Sequence, residues 1–233
     1  MANTKPKKEE KEILKITRSD QYKTVTELLK KSESNSVYYT LLILSIIIVA
    51  VGLLLGNAPI VIGGMLVTPL LTPILVIALG IATGETSAIM YSGMLVLKSV
   101  LIVVAISFVL AVFFGQPIAQ AYIFDDTMTT GVLYFIVAVV SGIAATFAWV
   151  RKEANDILPG VAIAVSLLPP LSLLGISLAV FDVGFMRFSF LVFLSNFIGI
   201  ILGSMVVFSL LKFYKTDKKI EKEVKSSNSN PSL

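Results

Sequence analysis

Four prolines fall in long apolar stretches, each pair flanked by hydroxyl side chains. In "MLVTPLLTPI" (65–74) Pro69 and Pro73 stand beside Thr68 and Thr72; in "VSLLPPLSLL" (165–174) Pro169 and Pro170 stand between Ser166 and Ser172. Proline removes a backbone donor and crowds the preceding turn. The carbonyls of Met65, Pro69, Val165 and Ser166 therefore lose their helical partners. In hydrocarbon such groups persist only where protein or enclosed water satisfies them. Freed carbonyls can hold a cation or water, and a restarted helix points N–H groups at an anion. Lys98 and Asn196 add a charge and an amide, each about ten residues into its apolar stretch. Lys98 is the only formal charge deep in any of them, and a central lysine costs about 2.5–3.5 kcal/mol on insertion scales. No Asp or Glu lies at that depth to pair with it.

This chemistry is recognition rather than bond-making. The chain has neither histidine nor cysteine, so thiolate chemistry, histidine metal sites and histidine acid–base catalysis are excluded. No intramembrane acidic pair replaces them, and nothing in the sequence brings Ser166 to Lys98 as a Ser–Lys pair. The expectation is a protein that is not an enzyme and holds no cofactor and no metal.

The elements that must carry these residues are apolar helices. Of 233 residues, 56% are hydrophobic, above the roughly 45–50% of soluble domains, and the mean hydropathy is +0.89. Runs of about 20 apolar residues each predict a span. Six are predicted, at 38–56, 59–83, 88–114, 131–150, 158–181 and 186–211. The fold class is an all-α membrane protein. The domains are a polar N-terminal tail (1–37), a transmembrane domain (38–211) and a polar basic tail (212–233).

A shift of 100 residues lays "PIVIGGMLVTPLLTPILVIALGIATG" (59–84) over "PGVAIAVSLLPPLSLLGISLAVFDVG" (159–184). Pro59 meets Pro159, Pro69 meets Pro169, Thr72 meets Ser172 and Gly84 meets Gly184. Each half reads as one plain span, one span broken at prolines and one long span with a polar midpoint. Three spans is an odd number, so two such repeats (38–114 and 131–211) are inverted relative to each other. Inverted repeats with broken helices at matching positions point to a site at the midplane.

Charge lies in the tails. Residues 1–37 hold nine Lys/Arg against six Asp/Glu, 212–233 hold six against three, and the remainder four against six. Lysines dispersed beside a membrane set topology or meet anionic lipid rather than nucleic acid. With six spans, both tails and the Arg151–Lys152 loop lie on the cytoplasmic side of the plasma membrane, and the Asp125–Asp126 loop lies opposite. No cleavable signal peptide is expected. "SDQYKTVTELLKKSE" predicts a short juxtamembrane helix capped by Ser19 or Asp20, with Tyr22, Val25, Leu28 and Leu29 on one face. Asn57 is expected to cap the second span ahead of Pro59. The small residues of "VIGG" (61–64), "SGMLVLKS" (92–99), "SGIAA" (141–145) and "NFIGIILGS" (196–204) are expected at close helix contacts.

The run "NAPIVIGGMLVTPLLTPI" (57–74), with "PGVAIAVSLLPPL" (159–171), resembles the hydrophobic membrane-domain family called "domain of unknown function 389" of bacteria and archaea. The resemblance covers roughly residues 38–211 and implies a multi-span helical membrane domain. Some members add a soluble domain, for which the 37-residue tail is too short. Thr68 stands where that family more often has serine, which preserves the hydroxyl.

The function expected from these residues is secondary transport of a small, anionic or zwitterionic solute by alternating access. The site would comprise Thr68, Pro69, Thr72, Pro73, Lys98, Ser166, Pro169, Pro170, Ser172 and Asn196. A channel of the same architecture, or a non-transporting oligomeric scaffold or lipid-interacting protein, would use the same spans. The expected partners are the bilayer, the solute or ion, and further copies in a homo-oligomer.

Overall fold

In a computed structural model that describes residues 16–114, 128–151 and 167–215, the chain is helical throughout its described elements. These are α1 (Arg18–Lys31), α2 (Ser36–Leu54), α3 (Ala58–Val67), α4 (Leu71–Thr83), α5 (Thr86–Phe114), α6 (Met128–Val150), α7 (Leu168–Ala179) and α8 (Val183–Leu210), followed by a 3-10 turn at Phe213–Lys215. Helices α2, α5, α6 and α8 are long and apolar enough to cross a bilayer. Helices α3 and α4 qualify together, meeting at 56°, and α7 is a shorter apolar helix. Ser166, the Asp125–Asp126 loop and the first part of the predicted fifth span lie outside the described residues.

Turn chemistry sets the helix ends. Asn57 accepts the Ile60 N–H at 3.2 Å, the cap its position predicted. Gly84 ends α4 in the left-handed region at φ 77°, and the Glu85 N–H returns to the Gly80 carbonyl at 2.9 Å. This is the glycine-dependent helix stop. The alignment of Gly84 with Gly184 does not hold as geometry. Gly184 lies inside α8, and the left-handed residue between α7 and α8 is Phe181, at φ 56°. Asp182 then caps α8 by accepting the Phe185 N–H at 3.0 Å.

Close approach follows the small residues in part. A Cβ added to Gly64 would meet the Val49 backbone N at 3.0 Å, bringing α3 against α2, and one at Gly199 would meet the Ala138 Cβ at 2.6 Å, bringing α8 against α6. Gly142 and Gly203 serve the same α6–α8 contact, the most extensive in the molecule. Gly63 and Gly93 face open space instead. Gly175 fits α7 against α5, where a Cβ would meet the Ser107 Cβ at 2.8 Å. Thus α7 packs on α5 while α4 packs on α8.

Helix α1 is docked rather than lying free. Val25 and Leu28 are fully buried, among α4 residues such as Leu75 and Leu79 and beside Ala145, Phe208 and Phe213. Gln21 donates its Nε2–H to the Leu211 carbonyl at 2.7 Å, and the Lys31 ammonium lies 4.8 Å from the Trp149 ring centroid. The Ser34 N–H meets the Tyr91 hydroxyl at 3.3 Å. One face therefore gathers α1, the starts of α2 and α5, and the ends of α6 and α8. Three details differ from the sequence reading. The helix begins at Arg18 with Thr17 at the cap position, because the Thr17 carbonyl already accepts the Asp20 and Gln21 N–H groups. Gln21 and Thr24 join the buried face while Tyr22 is exposed. Phe213, placed in the polar tail by sequence, is fully buried and packs on Phe208 at 5.1 Å between centroids.

Candidate functional site

The first break occurs at Pro69 and not at Pro73. A residue before proline is driven out of the helical region, and Thr68 adopts φ −69°, ψ 134°, ending α3 at Val67. Leu70 is back in helical geometry and opens α4. Pro73 then lies in the first turn of α4, where the missing N–H had no partner to lose. The Pro69 carbonyl it would have freed accepts the Thr72 hydroxyl at 3.4 Å. Pro169 and Pro170 likewise lie in the first turn of α7. They remove two of the N–H groups that a helix start would offer an anion, so this half-helix end is a poor anion site.

A cavity of about 340 Å³ lies against the start of α7. Its walls are Leu53 of α2, then Ala58, Val61, Ile62 and Met65 of α3, with Tyr134 of α6. Pro169, Pro170 and Leu173 of α7 complete it with Phe188, Ser189, Val192 and Asn196 of α8. Asn196 is the fourteenth of the 28 residues of α8, about 20 Å along its axis, and so lies at mid-depth. Ala58 and Leu53 adjoin the α2–α3 turn, on the face opposite α1. The cavity therefore runs from that face to the depth of the prolines. Among the described residues no Asp, Glu, Lys or Arg lines it. Its polar groups are the Asn196 amide, the Tyr134 hydroxyl and the Ser189 hydroxyl, which is buried without a hydrogen-bond partner.

Of the residues expected at the site, the cavity unites Pro169, Pro170 and Asn196. Met65 brings the end of α3 to the same space, one turn before Pro69. Thr68, Pro69, Thr72 and Pro73 do not line it. The Thr68 hydroxyl is nevertheless buried and unpartnered at the break. Ser172 is fully buried with an unpartnered hydroxyl, one turn from the Gly175 contact with α5 and outside the cavity lining. Lys98 is not brought to the breaks at all. Its side chain is exposed on the outer side of α5, whose inner face carries Ser92, Ser99 and Ser107. Tyr38 fixes that inner face by a 2.9 Å hydrogen bond to Ser99. Ser189 and Tyr134 escaped sequence reasoning. The spacing of Ser189 to Asn196, seven residues or two turns along one helix face, was the available signal for the serine. Nothing comparable marked Tyr134.

No solved structure matches the chain significantly. It is 26% identical over 204 residues to "Uncharacterized protein MJ0678" of Methanocaldococcus jannaschii, an alignment covering 86% of this chain and 61% of that protein. The chain thus spans about three-fifths of the length of that relative. The family model described as "Domain of unknown function (DUF389)" matches residues 65–202, more than half of the chain and both proline segments. With that match, and with several helices able to cross a bilayer, the chain belongs to the DUF389 family.

Proposed function

We propose that the protein is a multi-pass membrane transporter of a small, weakly polar solute, built as two inverted three-span repeats. The observation that carries this is the cavity that runs from beside the α2–α3 turn to Asn196 at mid-depth, while α1 docks by its apolar face at the opposite end. An opening at one face with a covered end at the other is one side of an alternating-access cycle. The repeat reading is supported by exchange packing: α5 of the first half lies on α7 of the second, and α8 of the second lies on α4 of the first. The bent α3–α4 pair and α7 act as the broken helices of the two halves. Arg18, Lys23, Lys30, Lys31, Arg151 and Lys212 on the α1 face favour cytoplasmic termini in the plasma membrane.

The preference for an anion rested on Lys98 and on helix N–H groups. Lys98 stands outside the cavity, and two prolines occupy the α7 start. A hydroxyl, an amide and a phenol favour a neutral or zwitterionic solute with hydrogen-bonding groups at one end. The absence of cysteine makes the test direct. Ser189→Cys should react with a membrane-impermeant maleimide from the face opposite α1, and the adduct should block uptake by proteoliposomes of at least one member of a panel of polyols and amino acids. During uptake, Thr72→Cys should become reactive from the α1 face. Labelling of Ser189→Cys from neither face, or an adduct that leaves uptake intact, overturns the proposal.

A further inference from the structure

A second concavity, of about 650 Å³, lies on the membrane-facing side of α5, away from the central cavity. Ser34, Thr86, Ser87 and Tyr91 form its upper end, Met90, Met94 and Leu95 its wall, and Lys98 its floor. Met90 and Met94 are 72% and 49% exposed, so the wall presents apolar surface outward. Among the described residues Lys98 is the only charge in the lining, and no hydrogen bond or ion pair engages it.

Depth identifies what reaches it. Helix α5 has 29 residues, a length of about 43 Å that exceeds a hydrocarbon core of about 30 Å by roughly 6 Å at each end. The Lys98 Cα is twelve residues from the start, about 18 Å along the axis and about 12 Å below the core boundary. Side chains on a helix lean toward its N-terminus, so the lysine stem of about 6 Å carries the ammonium up the groove. It ends about 6 Å below the boundary, under the hydroxyls of Tyr91, Ser87 and Ser34. A cation a few ångströms inside the core, hydroxyls above it and exposed Leu97 and Leu101 below it follow the order of headgroup and acyl chains in one molecule. Glu85, the residue just before this helix, is outside the lining and accepts the Ser87 N–H at 3.2 Å.

We infer that the α5 groove binds one anionic phospholipid, its phosphate on Lys98 and the hydroxyls, its glycerol beside Met90 and Met94, and its acyl chains descending along the exposed Leu97 and Leu101. The site is independent of the transport reading. It leaves the central cavity free and gives Lys98 a counter-charge that no described residue supplies.

The test is native mass spectrometry of the full chain in detergent, with phosphatidylglycerol or phosphatidylcholine added at equal concentration. The wild type should retain phosphatidylglycerol at least about tenfold over phosphatidylcholine. Lys98→Met should lower that ratio to about twofold or less, Lys98→Arg should keep it, and Lys23→Met on α1 should leave it unchanged. Should Lys98→Met fail to fold, Ser87→Leu obstructs the mouth of the groove without touching the lysine and should produce the same loss. Two results overturn the inference. One is an unchanged lipid ratio in both Lys98→Met and Ser87→Leu. The other is a Lys98→Met shift from dimer to monomer mass with no change in lipid, which would assign the groove to a second copy of the chain.

Discussion

The central cavity and the α5 groove share no lining residue, and they divide the polar groups between them. The cavity holds neutral donors and acceptors at mid-depth and no charge. The groove holds the single deep charge and faces the bilayer. A charge inside a closed bundle needs a partner within reach, whereas one at a lipid-facing groove can borrow its partner from the membrane. The comparison teaches that a lysine in an apolar helix and a polar cavity in the same bundle need not belong to one site.

The contact between α7 and α5 is the most sensitive place to break this division. Gly175 lets α7 lie on α5, and a side chain there meets Ser107 and the Phe108 backbone at 2.8–3.0 Å. Gly175→Leu should cost about 2–3 kcal/mol through overpacking, read as a lowered midpoint of thermal unfolding in detergent. Reactivity sharpens the contrast next. Ser189→Cys should react with an aqueous thiol reagent at least about tenfold faster than Ser172→Cys, which is sealed against α5; similar rates would merge that contact with the cavity. Tyr38→Phe, which removes the bond to Ser99 behind the groove, should destabilise by about 1 kcal/mol. Smallest of all, Lys98→Met should change unfolding in lipid-free detergent by no more than about 0.5 kcal/mol, as for an exposed site. A large loss there would place Lys98 in the interior after all.

Much of the scaffold was legible because apolar run length and capping chemistry act locally. The long helices, the Asn57 cap and the end of α3 before Pro69 follow from a few neighbouring residues. The direction of Lys98 was not legible. Helix α5 is apolar on its lipid face as well as its protein face, so its sequence carries almost no signal of rotation. Only Ser92, Ser99 and Ser107, all buried, mark the inner side. Proline position was legible but not proline consequence, since Pro73 and Pro170 become harmless once the chain restarts just ahead of them. Phe181 broke the expectation of a glycine stop: the turn is closed by local bonds, the Asp182 N–H returning to the Ser177 carbonyl at 3.2 Å, with a non-glycine residue in the left-handed region. Grouping the breaks into one site required distances that spacing alone does not hold. Met65, Pro169 and Asn196 share a cavity, while Thr68 and Thr72 face elsewhere.

The bond from Gln21 to the Leu211 carbonyl joins residues 190 positions apart, which gives the molecule an order of assembly. At about 5–20 residues per second, roughly 10–40 s separate the synthesis of its two ends. Through that interval Val25, Leu28 and Leu29 lack the part of their cover that Phe208 and Phe213 supply. The docking surface of α1 is complete only once the residues at the end of α8 have been made.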